Sequence, residues 1–212
     1  MVNRVGFANF NRPTYDCLAS EYESRANAWS KPTLERVKYF SQFISGTDVL
    51  DVGCGIGQDI QHFINLGYKT FGIDVSPQMV GYAQKRNLDA KIIEGNFLTL
   101  DLNRQFNAIS AHSFIHLFPK DIAIQIIKKI KNSLTSGGVA FFVVGEADRP
   151  KEGWEQKSGY RASPPRYKKY WTRKELQHCL VDICGFEYLH SIPQTTAEGK
   201  KLIGFVVRKS KL

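Results

Sequence analysis

No apolar run in this chain of 212 residues approaches the roughly 20 residues that a membrane-crossing helix needs. The opening stretch, Met1 to Thr14, is polar and lacks the apolar segment of a secretory signal. Cysteine is scarce. Cys17, Cys54, Cys179 and Cys184 form no C-x-x-C pair, and no His-x-x-x-His stands nearby to complete a zinc site. These absences point to a cytoplasmic protein with reduced, core-type thiols, no metal and no membrane partner. Acids are also in deficit: 20 Asp and Glu against 29 Lys and Arg leave a formal charge of +9. The deficit is local. Between Lys157 and Lys174 stand Lys157, Arg161, Arg166, Lys168, Lys169, Arg173 and Lys174 without one acid. The stretch from Lys200 to Leu212 adds Lys200, Lys201, Arg208, Lys209 and Lys211, again without one. Such clusters permit an anionic partner without requiring it. Repeats and low-complexity tracts are missing too, so residues 1–212 read as a single domain.

What is present is a regular alternation of strand and helix signals. Residues 14–28 and 32–44 carry helical apolar spacing, with Pro32 near the start of the second helix, where its missing N–H costs least. These residues, 1–44, form an expected N-terminal helical cap. Asp48 to Val52 is a short apolar run ending at glycines and reads as a buried strand. Further strands fit near 69–73, 90–93, 106–111, 138–144, 186–191 and 202–208, with helices at 58–66, 77–87, 120–134 and 172–184. Gly67, Gly137-Gly138 and Gly185 fall where helix C-caps belong. The alternation predicts an α/β fold: a mostly parallel sheet with helices on both faces. The last two strands have no helix between them, so they pair antiparallel or flank another strand. Gly145 to Tyr170 breaks the regularity; a stretch of that length without clear periodicity is usually functional or mobile.

The sharpest signal is Val49-Leu50-Asp51-Val52-Gly53-Cys54-Gly55-Ile56-Gly57-Gln58. Alternate glycines let a backbone turn tightly and approach a ligand closely, and the N–H groups of the following helix face the same crevice. The dinucleotide fingerprint is G-x-G-x-x-G; here the third glycine comes one residue early, and Asp51 stands in the strand before it. A carboxylate there would repel a pyrophosphate and suits a ligand carrying an ammonium and a sulfonium. A second strand ends at Phe71-Gly72-Ile73-Asp74-Val75-Ser76, with Asp74 at the distance expected of a carboxylate that accepts ribose hydroxyls. The competing reading of Asp74 is a helix N-terminal acid before Pro77.

At these residues the chain resembles the class I, Rossmann-like, S-adenosylmethionine (SAM) dependent methyltransferases. Later landmarks agree in order: Ile93-Glu94-Gly95-Asn96-Phe97, Phe106 to Ile109 opening into Ser113 to Leu117, Leu134 to Gly138, and Tyr170-Trp171-Thr172 to Phe186. The resemblance covers about residues 45–208, and Tyr15-Asp16 through Tyr22 is similar to the family's N-terminal helix. It implies a doubly wound, seven-stranded sheet with the last strand antiparallel, and SAM at its carboxyl edge. It implies that Gly53, Cys54, Gly55 and Gly57 line the methionine moiety, with Asp51 near its amino group. Asp74 and Val75 would border the ribose, Asn96 and Phe97 the adenine, with His112 nearby and Tyr15 and Tyr22 closing over the cofactor or simply packing on a helix face. Asn96 stands where the family usually has Asp, but an amide can still accept and donate.

Methyl transfer depends mainly on alignment and exclusion of water, and a base is needed only for a protonated nucleophile. The candidates are His112, Ser113 and His116, with structural histidines as the alternative. Residues 145–171 form an expected substrate lid. Tyr160, Tyr170 and Trp171 are candidates for an aromatic wall, or for plain packing. Arg149, Arg161, Arg166, Lys168 and Lys169 suit an acidic or phosphorylated acceptor, or serve as a solubilising charged loop. The leading expectation is therefore methyl transfer to a small molecule. RNA or tRNA methylation is the runner-up, supported by the basic residues interleaved with Tyr167, Tyr170 and Trp171. Against RNA, the fourth-strand motif lacks the N/D-P-P-Y/F run of base amino-group methyltransferases. A non-catalytic SAM-binding protein is the third reading.

Overall fold

A computed structural model describes residues 10–195, 199 and 201–211. Alternation along the strands builds the frame. In β1 (Asp48–Val52), Leu50 and Val52 point into one core and Val49 into another, so the sheet is covered on both faces. It continues through β2 (Lys69–Asp74), β3 (Lys91–Glu94), β4 (Phe106–His112), β5 (Leu134–Gly145), β8 (Glu187–Thr195) and β9 (Lys201–Arg208). The order is β3-β2-β1-β4-β5-β9-β8. β1 to β5 pair in parallel, and β9 lies between β5 and β8, antiparallel to both. Strand order reverses between β1 and β4, which opens a crevice at their carboxyl ends.

One core packs α5 (Lys120–Asn132) on the sheet through Ile122, Ala123, Ile126, Ile127 and Ile130, a single helical face. Asp121 in its first turn and Lys129 and Lys131 in its last turn match the helix dipole. The other core gathers Val37 and Phe40 of α2 (Ala26–Ser41) and Phe63 of α3 (Gln58–Asn65) against Val49, Phe141 and Val143. α1 (Arg12–Ser24) and α4 (Pro77–Arg86) pack together near the carboxyl edge of β2. Ser76 caps α4 by accepting the Met79 N–H at 3.1 Å, with Pro77 at the first position.

Several expectations need correction. Pro32 lies inside α2 rather than near its start, because that helix already begins at Ala26. Gly137 and Gly138 are not a helix C-cap: Ser133 caps α5, and β5 already runs through both glycines. Residues 145–171 are not irregular. β6 (Lys151–Glu155) and β7 (Arg166–Tyr170) form an antiparallel hairpin, with Lys151 opposite Tyr170 and Glu155 opposite Arg166. The helix expected over 172–184 is α6 (Arg173–His178) followed by a π-helical turn, Cys179–Ile183. Lys200, part of the C-terminal basic group, lies outside the described residues.

Candidate active site

The glycine loop is tied to the second strand. The Gly53 and Cys54 N–H groups both donate to the Ile73 carbonyl, at 2.8 and 3.1 Å. Gly53, Gly55 and Gly57 take left-handed φ values of 71°, 54° and 77°. A Cβ on Gly53 would lie 2.4 Å from the Phe114 ring, so no side chain fits there, whereas a Cβ on Gly55 would meet nothing within 4 Å. The Asp74 carboxylate accepts the Gly55 and Ser76 N–H groups, each at 2.9 Å. Burial raises its pKa above the usual carboxylate range, with Asp16 adding to the rise and the backbone donors opposing it.

Asp51 shares the Val49 face of β1, so it points toward α2 and α3. There Arg36 donates to Asp59 at 2.7 Å, both side chains being buried. Burial, then Asp59, pushes the Asp51 carboxyl well above its usual range, and Arg36 offsets this only in part. Asp51 thus feels the carboxylates of Asp59 and Asp74 and the single guanidinium of Arg36, whose Nε is buried without a partner. The crevice is short of positive charge. Cys54 is no nucleophile, since burial and then Asp74 and Asp51 hold its thiol well above the usual value. Arg36 and Asp59 were not found from the sequence. The one available signal was Arg36 itself, a charge beside Val37 and Phe40 on a core-facing stripe.

Opposite the glycine loop, β4 ends at His112 and the chain turns through Ser113, a non-glycine residue at φ 55° held by its N–H to the Val143 carbonyl at 2.8 Å. Burial, then Arg36, lowers the His112 pKa to about 3. His116 sits in a 3-10 turn, Ile115–Leu117, buried, with its Nδ1 lacking a partner. Burial, then Arg166, Lys168 and Lys157, holds its pKa well below the ordinary imidazole value. Arg166 donates to the Tyr15 hydroxyl at 3.2 Å and to Glu155 at 3.1 Å. Lys168, 3.6 Å away, and the Tyr170 hydroxyl meet the same Glu155 carboxylate.

The hairpin is clasped to α1. The Asn11 side chain donates to the Leu117 and Tyr167 carbonyls at 3.0 and 3.1 Å and accepts the Tyr167 N–H at 2.7 Å. Thr14 donates to the Pro164 carbonyl at 2.9 Å. Tyr160 stacks on Tyr22 at 5.0 Å, and Tyr15 lies 6.1 Å from Tyr22. Arg161 turns to the Cys17 carbonyl of α1, and Arg149 is exposed, so neither joins Tyr170 and Arg166. Much of the basic run is paired: Arg166 and Lys168 with Glu155, Lys169 with Glu175 at 3.1 Å, Arg173 with Glu146 at 3.1 Å. Trp171 is fully buried, in the core rather than an aromatic wall. Asn96 accepts the Leu98 N–H at 2.9 Å, leaving its Nδ2 buried without a partner, and Phe97 packs edge-on to Phe114. A cavity of about 430 Å³ lies elsewhere, lined by Thr99 to Gln105 with Lys129, Asn132 and Ser133. Among the described residues no cluster of His, Cys, Asp or Glu could hold a metal ion, and no helix is long and apolar enough to cross a membrane.

A family model described as a methyltransferase domain matches residues 49–138. The malonyl-[acyl-carrier protein] O-methyltransferase of Yersinia pestis is 26% identical over 145 residues, 68% of this chain and 54% of that protein. A dTDP-3-amino-3,4,6-trideoxy-alpha-D-glucopyranose N,N-dimethyltransferase of Streptomyces venezuelae is 35% identical over 63 residues, covering 30% of this chain and 27% of that one. The chain spans about half the length of the first of these and of a second malonyl-[acyl-carrier protein] O-methyltransferase, from Pectobacterium atrosepticum. Among solved structures, the 1,6-didemethyltoxoflavin-N1-methyltransferase of Burkholderia thailandensis, with S-adenosylhomocysteine bound, shares the fold at a TM-score of 0.69. It is 19% identical, over 92% of this chain and 88% of that one.

Proposed function

We propose, on the premise that this chain belongs to the class I SAM-dependent methyltransferases, that it methylates a small acidic acceptor held beneath the hairpin. The observation that carries the reading is the crevice between β1, β2 and β4, where the buried Asp51 carboxyl lies in the field of Asp59, Asp74 and Arg36 beside an uncovered glycine backbone. Those residues fit SAM. Asp51 suits its ammonium, the unpartnered Arg36 Nε suits its carboxylate, and each Asp74 oxygen keeps a lone pair for a ribose hydroxyl. The free Asn96 Nδ2 suits a purine ring nitrogen. When bound, SAM supplies an electrophilic methyl group on a sulfonium.

The rest is work for the chain's own side chains. Residues 10–44 serve as a cap, residues 1–9 of that expected cap lying outside the described residues, and 145–171 as a lid, whose clasp through Asn11 and Thr14 would exclude water. Arg166 and Lys168 orient the acceptor's anionic group, and pairing of the basic run within the fold argues for a small molecule over RNA. A relative named for O-methylation of a malonyl group is consistent with an acidic acceptor. His116, held neutral by burial and by the cations around it, takes a proton at Nδ1 from a protonated nucleophile. Replacing His116→Gln should lower kcat about 100-fold while SAM affinity stays within about threefold. An unchanged kcat would mean that the nucleophile arrives deprotonated and that His116 takes no part in the chemistry.

A further inference from the structure

Three donors from alternate positions of β7 (Arg166, Lys168 and Tyr170) converge on Glu155. Only Arg166 faces it directly across the hairpin; Lys168 lies opposite Gly153 and Tyr170 opposite Lys151. Lys168 and Tyr170 therefore lean along the ribbon to reach one carboxylate, which hairpin pairing alone does not require. Burial would raise the Glu155 pKa, but the Tyr170 hydroxyl, Lys168 and Arg166 outweigh it and the net shift is downward. Gly153 leaves the space beside Lys168 empty, with nothing within 4 Å of where a Cβ would stand. On this face Lys151, Arg166 and Lys168 outnumber Glu155 by two charges.

We propose that this cluster is the anion seat of the acceptor pocket, and that Glu155, a carboxylate of the protein itself, fills it until an acidic acceptor takes its place. The inference rests on the acidic-acceptor reading above. Burial decides which partner moves. The Arg166 side chain is 8% exposed and fixed by Tyr15, whereas Glu155 is 27% exposed and begins the loop of residues 156–165. The guanidinium stays and the carboxylate swings out. The buried, unpartnered Arg166 Nε gives the incoming group a donor that Glu155 leaves unused. A carboxylate and a phosphoryl group fit the same donors. A gate of this kind lets an acidic acceptor compete for the seat while a neutral molecule cannot.

The test uses the full chain saturated with S-adenosylhomocysteine and titrated calorimetrically with malonate, then with inorganic phosphate, at constant ionic strength. Glu155→Gln should bind at least one probe about tenfold or more tightly than the unaltered protein, and Arg166→Gln should bind neither. The probe that gains more identifies a carboxylate or a phosphoryl acceptor. Equal affinities in the unaltered and Glu155→Gln proteins would overturn the displacement and leave Glu155 as a hairpin brace. Failure of both probes in every variant would overturn the acidic-acceptor reading itself. S-adenosylhomocysteine binding in the same sample reports that each variant is folded, and Glu155→Ala stands in if Glu155→Gln is not.

Discussion

Two imidazoles border the crevice, and both are neutral for physical reasons. Burial, then Arg36, takes His112 to about 3, and burial with three nearby cations takes His116 well below its ordinary value. A depressed pKa keeps the base form as the pH falls through the usual imidazole range and loses it only below the folded value. The kcat/KM profile should therefore stay level between about pH 8 and pH 6, with its acid limb displaced below the ordinary imidazole pKa of about 6.5. An acid limb centred near 6.5 would show that the catalytic base is an unperturbed histidine elsewhere. The same shift works against stability in acid, because unfolded imidazoles take up protons that the folded ones refuse. The placement of the glycine run and Asp51 in one strand–turn–helix unit, with Asp74 at the end of the next strand, was legible in the sequence. Arg36, Asp59 and Glu155 were not, since each acquires its setting from an element distant in sequence or from a hairpin that showed no sequence pattern. Arg161 misled because a basic residue in a basic run looks available, whereas it turns to the backbone of α1.

The hairpin and α1 behave as one element. Asn11 makes three hydrogen bonds that join α1, the turn after β4 and β7. Replacing Asn11→Ala leaves backbone groups of Tyr167 and Leu117 without that partner and should cost about 2 kcal/mol, a fall in Tm of about 4–8 °C. Amide exchange should quicken in residues 156–170 and not in β1 or β4, measured by mass spectrometry. A Tm shift under about 1 °C would show that the clasp adds little. The hairpin escaped detection in the sequence because β7 has no apolar alternation and carries cations on both of its sides. Arg166, Lys168 and Tyr170 share a face with Glu155, while Lys169 is buried against Glu175 and the Trp171 ring on another side. An apolar period-2 search finds nothing in such a strand. Pro32 misled for a different cause: α2 carries it in an interior turn instead of starting there.

At the scale of the molecule, the parallel sheet followed from strand–helix alternation, and the antiparallel last strand from the resemblance. The missing helix between β8 and β9 left either antiparallel pairing or an intervening strand, and the structure has the pairing; the insertion of β9 between β5 and β8 was not spelled out by any local pattern. The order reversal between β1 and β4 sets the crevice, and the side chains there make it electronegative although the chain as a whole carries +9. That contrast distinguishes a cationic cofactor from an anionic dinucleotide. The central claim is tested most directly by calorimetric titration of the protein with SAM and, in parallel, with NAD. Micromolar binding of SAM, about −8 kcal/mol, and no measurable binding of NAD are expected. Absence of SAM binding, or tighter binding of NAD, would contradict it.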